Sequence, residues 1–161
     1  MFYKASLDTM SKIVTAVTAL FFLFFAIKTF TSWGEMPYIL LIPCVILVGT
    51  LFITYIYSPQ GYEITLDSIQ IVRKINRFHI QRNEILSITP LSADELGRAW
   101  RTFGNGGMFG YTGWFRSAKQ GSMRWFVSQR KNYVCILTTN HKKYILSPDD
   151  VEGFIKASTQ W

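Results

Sequence analysis

Two apolar runs near the start of the chain limit what it can fold into more than any other feature. Ile13 to Phe30 reads IVTAVTALFFLFFAIKTF, with Lys28 as its only charge, and Pro37 to Tyr57 reads PYILLIPCVILVGTLFITYIY, with none. At helical rise they reach roughly 27 and 31 Å, which matches a hydrocarbon core of about 30 Å. Neither carries a polar stripe, so a soluble hairpin would leave apolar faces in water. A cleaved signal is also disfavoured, because AIKTFTSW makes a poor cleavage site. Lys28 can snorkel to the interface, and Trp33, Tyr38, Tyr55 and Tyr57 fall near the run ends, where amphipathic rings settle. The intervening TSWGEM is short enough to force an antiparallel pair, and Pro43 is tolerated inside a membrane helix although it can kink one. Lys4 and Lys12 precede the first run, and Arg73, Lys74 and Arg77 follow the second, so both termini are expected in the cytoplasm of an inner-membrane protein.

After Tyr57 the pattern changes. SPQG reads as a turn, and alternation at period two follows. GYEITL and IQIVRK form a hairpin about Asp67-Ser68. FHI and EILSITPL continue the pattern, with Ile85, Ile88 and Leu91 available to a buried face. GSMRWFVSQ, YVCILTT and KKYILS come later, joined at Arg130-Lys131-Asn132 and Thr139-Asn140-His141 in what read as tight antiparallel connections. The end, SPDDVEGFIKASTQW, reads as a helix over about 148–159. Ser147 is its expected cap, Pro148 its first residue, Asp149 and Asp150 complement its positive end, and Val151, Phe154 and Ile155 form its apolar face. The expected architecture is a membrane-helix hairpin over 1–57, then over 58–161 a mainly-β open barrel of about seven antiparallel strands capped by a C-terminal helix.

GYEITLDSIQIVRK, the block RTFGNGGMFGYTGWF and the late ILSPDD with its following GF resemble the bacterial PH-domain-like proteins, which often carry a membrane-helix hairpin ahead of the domain. The resemblance covers roughly Gly61 to Ser158. It implies a pleckstrin-homology-like fold and a binding role. It implies no particular ligand, because the family shares the shape of eukaryotic lipid-binding domains without an established one.

The block from Arg101 to Phe115 holds five of the chain's eleven glycines. It is no P-loop, lacking Gly-Lys-Ser/Thr at a helix start. It is no dinucleotide fingerprint either, since Phe109 takes the last glycine position and no βαβ pattern surrounds it. Gly104, Gly107, Gly110 and Gly113 keep a three-residue beat that suits neither strand nor helix. The expectation is backbone at positive φ or in close approach, in an ordered loop packed on the barrel and held down by aromatic side chains. A ligand or partner surface is the other reading of that loop, with Arg101, Asn105, Tyr111, Trp114, Arg116, Lys119, Arg124 and Trp125 as its candidate residues.

From Ser58 onward there are fourteen Lys and Arg against eight Asp and Glu. A solvated basic face accounts for this. A tethered domain would also meet anionic headgroups, each attracting a nearby basic residue by about 1 kcal/mol, with Trp114, Trp125 and Trp161 adding interfacial contacts. Nucleic acid is not expected, since no RNA-binding signature is present and the anchor argues against it. Cys44 and Cys135 read as small buried hydrophobes, and His79 and His141 are too far apart in sequence for a metal site. Adjacent Asp94 and Glu95 point to different faces, and there is no nucleophile elbow, so neither catalysis nor a cofactor is expected. The leading expectation is a protein-interaction or scaffold module at the cytoplasmic face of the membrane. A sensor of anionic lipid headgroups is the first alternative, and a structural subunit of a larger membrane complex the second.

Overall fold

The computed structural model describes residues 1–31 and 37–160. The chain opens with a short strand, β1 (Phe2–Lys4), followed by helices α1 (Thr9–Thr31) and α2 (Pro37–Ile56). Four strands come next: β2 (Pro59–Ile64), β3 (Ser68–Arg73), β4 (Arg77–Gln81) and β5 (Ile85–Leu91). A one-turn helix α3 (Ala93–Leu96) leads into β6 (Ala99–Gly107), β7 (Gly110–Ser117), β8 (Gly121–Val127), β9 (Tyr133–Thr138) and β10 (Lys143–Leu146), and α4 (Val151–Thr159) ends the fold. Trp33, Glu35 and Trp161 lie outside the described residues, as do the rest of the connection after Thr31 and the Tyr38 side chain.

Among the described residues one helix, over Thr9–Thr29, is long and apolar enough to cross a membrane, and the apolar stretch of α2 within them, Ile42–Ile56, is shorter. α2 runs on through Pro43. The two helices are antiparallel neighbours: Cys44 Sγ, which is only half-buried, donates to Thr29 Oγ1 at 3.5 Å at one end, and Thr15 and Tyr55 meet the same residue, Phe109, at the other.

The strands form two sheets, ordered β1-β2-β3-β4 and β5-β9-β10-β8-β7-β6, rather than one barrel. Several of the expectations above need correction here. The described residues hold ten strands, not about seven: β1 precedes the helices, and the glycine block is itself the β6–β7 hairpin, not a loop. The pattern is not wholly antiparallel, because β10 inserts between β8 and β9 and runs parallel to β8. The Arg130–Asn132 turn therefore joins strands that are not neighbours, since Tyr144–Leu146 are buried and occupy the place between β8 and β9.

SPQG is not a turn either. Pro59–Gly61 already belong to β2, and Gly61 lies opposite Lys4 of β1. A Cβ at Gly61 would stand 2.6 Å from the Tyr3 carbonyl oxygen, so only glycine lets β1 approach. The tail is fastened at several points. Met1 N donates to the Ile64 carbonyl at 2.7 Å, Ser6 Oγ donates to Asp149 at 2.6 Å, and Asp8 accepts from Arg130 N at 2.9 Å. Asp8 also accepts from Ser11 N at 2.7 Å, which caps α1.

The main core lies between the sheets. Tyr62, Ile69, Ile71 and Ile80 of the first meet Phe126, Val134, Ile136 and Leu146 of the second, with Phe154 of α4 beside them. Phe154 sits edge-on to Tyr3 and Tyr62, with centroids 5.3 and 6.1 Å away. Period two along β7 to β10 sends Phe115, Met123, Trp125 and Ile145 to the opposite face, where Leu96 and its neighbours on the β5–β6 crossover cover them. The six-stranded sheet is thus buried on both faces over its centre.

The C-terminal helix starts three residues later than expected. Its cap is Asp150, which accepts from Gly153 N at 2.9 Å. Ser147 is instead fully buried, its Oγ accepting from Ser128 N at 2.9 Å. Asp94 and Glu95 lie on α3, which is closed by a capping box: Ser92 N donates to Glu95 Oε2 at 2.8 Å and Glu95 N to Ser92 Oγ at 3.1 Å. These bonds hold the Glu95 carboxyl below its ordinary range.

Candidate functional site

The glycine beat sets the shape of the site. Gly104, Gly107, Gly110 and Gly113 have φ of 107°, 142°, 114° and 130°, a region that a side chain rarely enters. Gly104 and Gly113 face each other across the hairpin, and a Cβ on either would meet a backbone oxygen of the other strand at 2.3 Å. The two strands close on each other there, in a ribbon that reaches past the sheet to the helices.

The tip of the ribbon docks on both helices. Phe109, at φ 53°, donates its N–H to Thr15 Oγ1 of α1 at 2.9 Å. Its carbonyl accepts from Ser58 Oγ at 2.5 Å, and its ring meets Tyr55 of α2 edge-on at 5.2 Å. Asn105 holds the turn. Its Oδ1 accepts from Met108 N at 3.2 Å, and its Nδ2 donates to the Gly110 carbonyl at 3.1 Å and to the Met108 carbonyl.

Between ribbon, sheet and α2 lies a cavity of about 570 Å³. Thr50, Ile53, Thr54 and Tyr57 form the helix wall; Phe103, Gly104, Met108 and Trp114 form the ribbon wall; Arg73, Arg124 and Phe126 lie on the sheet side, with Arg101 at the rim. Cross-strand pairing builds the sheet side, since Trp114 stands opposite Arg124 and Thr112 opposite Phe126. Both guanidiniums lie over the Phe126 ring, Arg73 at 5.7 Å and Arg124 at 5.2 Å, so two cations share one aromatic ring. Arg73 also covers Tyr57 at 5.4 Å, and Arg124 covers Phe78 at 4.5 Å. No described carboxylate pairs with Arg73, Arg101 or Arg124, and the buried Nε of Arg73 has no hydrogen-bond partner among the described residues. Burial and the nearby Arg124 cation pull the Arg73 pKa below the ordinary arginine value.

The candidate residues named from sequence separate into four groups. Arg101, Trp114 and Arg124 line the cavity. Asn105 borders it but serves the turn. Tyr111 and Trp125 are not surface residues at all: Tyr111 is buried and Trp125 is 1 % exposed, stacked on Phe115 at 4.2 Å, because β7 and β8 turn these positions to the covered face. Arg116 and Lys119 lie exposed at the far end of the hairpin, where Lys119 Nζ donates to the Asp94 carbonyl at 2.6 Å. Sequence reasoning missed Arg73, Phe126 and the whole helix wall. Arg73 was visible as a charge ending β3, but nothing local relates it to Arg124 or to α2.

A family model described as Bacterial PH domain matches residues 60–160. The match takes in every strand after β1, apart from the first residue of β2, and leaves β1, α1 and α2 outside. Neither a curated protein nor a solved structure matches the chain.

Proposed function

Because the chain belongs to the bacterial PH domain family, we propose that it is a non-catalytic binding module tethered at the cytoplasmic face of the membrane by both helices, with the arginine-lined groove as its binding face. One observation carries the tether: β1, ahead of α1, pairs with β2, behind α2. The two outer ends of the helix pair are stapled to one sheet, so if α1 crosses the bilayer then α2 crosses back. A Pro37–Ile56 helix reaches about 30 Å at ordinary rise, enough for that return. Lys74 Nζ lies 3.6 Å from the centre of the Tyr55 ring and Arg73 covers Tyr57, which supplies the band of aromatic and basic side chains expected at an interface.

The carboxylates support a binding role over a catalytic one. Asp8, Glu95 and Asp150 cap helices, Asp149 fastens the tail, Glu63 pairs with Arg77, and none lines the groove. The tether is tested by impermeant maleimide labelling of intact cells in a Cys44→Ala/Cys135→Ala background. Glu35→Cys is expected to label from outside and Lys119→Cys only after lysis; labelling of Lys119→Cys in intact cells overturns the arrangement.

A second reading, docking of a protein partner, has its own support in the outer strand β6. Phe103 is 77 % exposed and Trp100 50 %, on a strand whose outer edge pairs with nothing among the described residues. A photo-crosslinker at Phe103 that captures one discrete membrane protein in cells favours this reading, whereas capture of lipid alone speaks against it.

A further inference from the structure

We infer that the groove holds one anionic phospholipid drawn from the surrounding bilayer, with its phosphate on Arg73 and Arg124 and an acyl chain against α2. The inference rests on the tether proposed above and deepens it.

Charge is the first argument. Two guanidiniums over one ring, with no carboxylate paired to either among the described residues, leave a positive site open to a counter-charge. The unsatisfied Nε of Arg73 is a donor waiting for an acceptor. Phosphate oxygens suit this pair because a guanidinium fork donates two parallel hydrogen bonds to them. Shape is the second. About 570 Å³ falls in the range of sites for drug-sized molecules, and most of the lining surface is apolar, which a bare phosphate would not use.

Position is the third argument. From Ile56 back to Thr50 is about 9 Å of helix. The headgroup layer on each side of a bilayer is roughly 5–7 Å thick. A phosphate at the level of Tyr57 and Arg73 therefore lies in that layer, while Ile53 and Thr50 lie where an acyl chain begins. The wall also continues without a break onto lipid-facing positions of α2, since Ile53 is itself exposed. An acidic peptide would use the arginines but not this continuity.

The test uses the full chain in nanodiscs of phosphatidylcholine. A minor fraction of the lipid is brominated on its acyl chains, as phosphatidylglycerol in one set and as phosphatidylcholine in the other. Quenching that depends on Trp114 is obtained by difference from Trp114→Phe. It is expected to favour brominated phosphatidylglycerol by roughly tenfold in relative association, and to fall to parity in Arg73→Gln/Arg124→Gln. Arg124 also packs on three rings, so Thr54→Phe, which narrows the groove from the helix wall and keeps both arginines, serves as the independent variant and is expected to abolish the preference too. Equal quenching by the two lipids in the wild type overturns the inference, as does a preference that survives both variants. Displacement of the brominated lipid by millimolar inorganic phosphate would overturn it in favour of a soluble anion. Absence of Trp114 quenching by either lipid overturns it as well, while the tether stands or falls separately on the maleimide labelling.

Discussion

Gly104 and Gly113 occupy the closest approach in the ribbon, each at positive φ and each with a carbonyl oxygen where its Cβ would be. Gly113→Ala is expected to cost about 2 kcal/mol or more, seen as a lower Tm, because neither backbone can yield without opening the hairpin. Gly49 of α2 has open space around its Cβ position, so Gly49→Ala is expected to be neutral or to stabilise by up to about 1 kcal/mol in the same assay. Tyr62 is fully buried, and its hydroxyl has two backbone partners. Its hydroxyl donates to the Phe126 carbonyl at 2.5 Å and accepts from Ser147 N at 3.0 Å. Tyr62→Phe leaves both groups buried without that partner, at an expected cost of about 1–3 kcal/mol in denaturant unfolding. Burial pushes the Tyr62 pKa from 10.0 to about 12, and that of Tyr133 likewise. Between those values the folded state keeps protons that the unfolded chain releases. The contribution is therefore full below pH 10.0 and is lost as pH rises through about 12. An alkaline titration followed by tyrosinate absorbance is expected to show these two ionising late, with cooperative unfolding in that window.

Among the elements, those whose signal lies within their own residues were legible: both helices, β2 to β5, β8 to β10 and the apolar face of α4. Those set by partners elsewhere were not. β1 is three residues with no period to read, and its strand character comes from pairing with Gly61 to Glu63 about 60 positions later. The ribbon read as a loop because positive-φ glycines break the alternation that marks a strand, although the same glycines are what permit its two strands to close. Ser147 and Pro148 had the sequence pattern of a helix start, but Ser147 Oγ is engaged by Ser128 and the cap passes to Asp150. Gly61→Val is expected to displace β1 while leaving the rest of the sheet in place. Limited proteolysis within the first eight residues should then become fast, and unchanged resistance there would show that the tail is held without β1.

For the whole molecule, the sheet and the helix pair depend on each other. A fragment that begins at Ser58 lacks β1, exposes the edge of β2 and strips Tyr3 from Phe154. Such a fragment is expected to melt roughly 10 °C below a version carrying residues 1–8 on a flexible linker, measured by thermal unfolding. The groove is likewise a property of the assembly. Its arginines come from β3, β6 and β8, its aromatic wall from the ribbon, and its other wall from a helix outside the family match. Charge pattern pointed to Arg101, Trp114 and Arg124 but also to Trp125, which the strand turns inward. Hydropathy and period were enough to read off an apolar helix pair, a β domain and a basic surface, because those signals arise between residues a few positions apart. Which tail pairs with which strand, where β10 inserts, and that Arg73 meets Arg124 beneath α2 are contacts between distant segments. They follow from packing the whole chain into one body, and no local pattern encodes them.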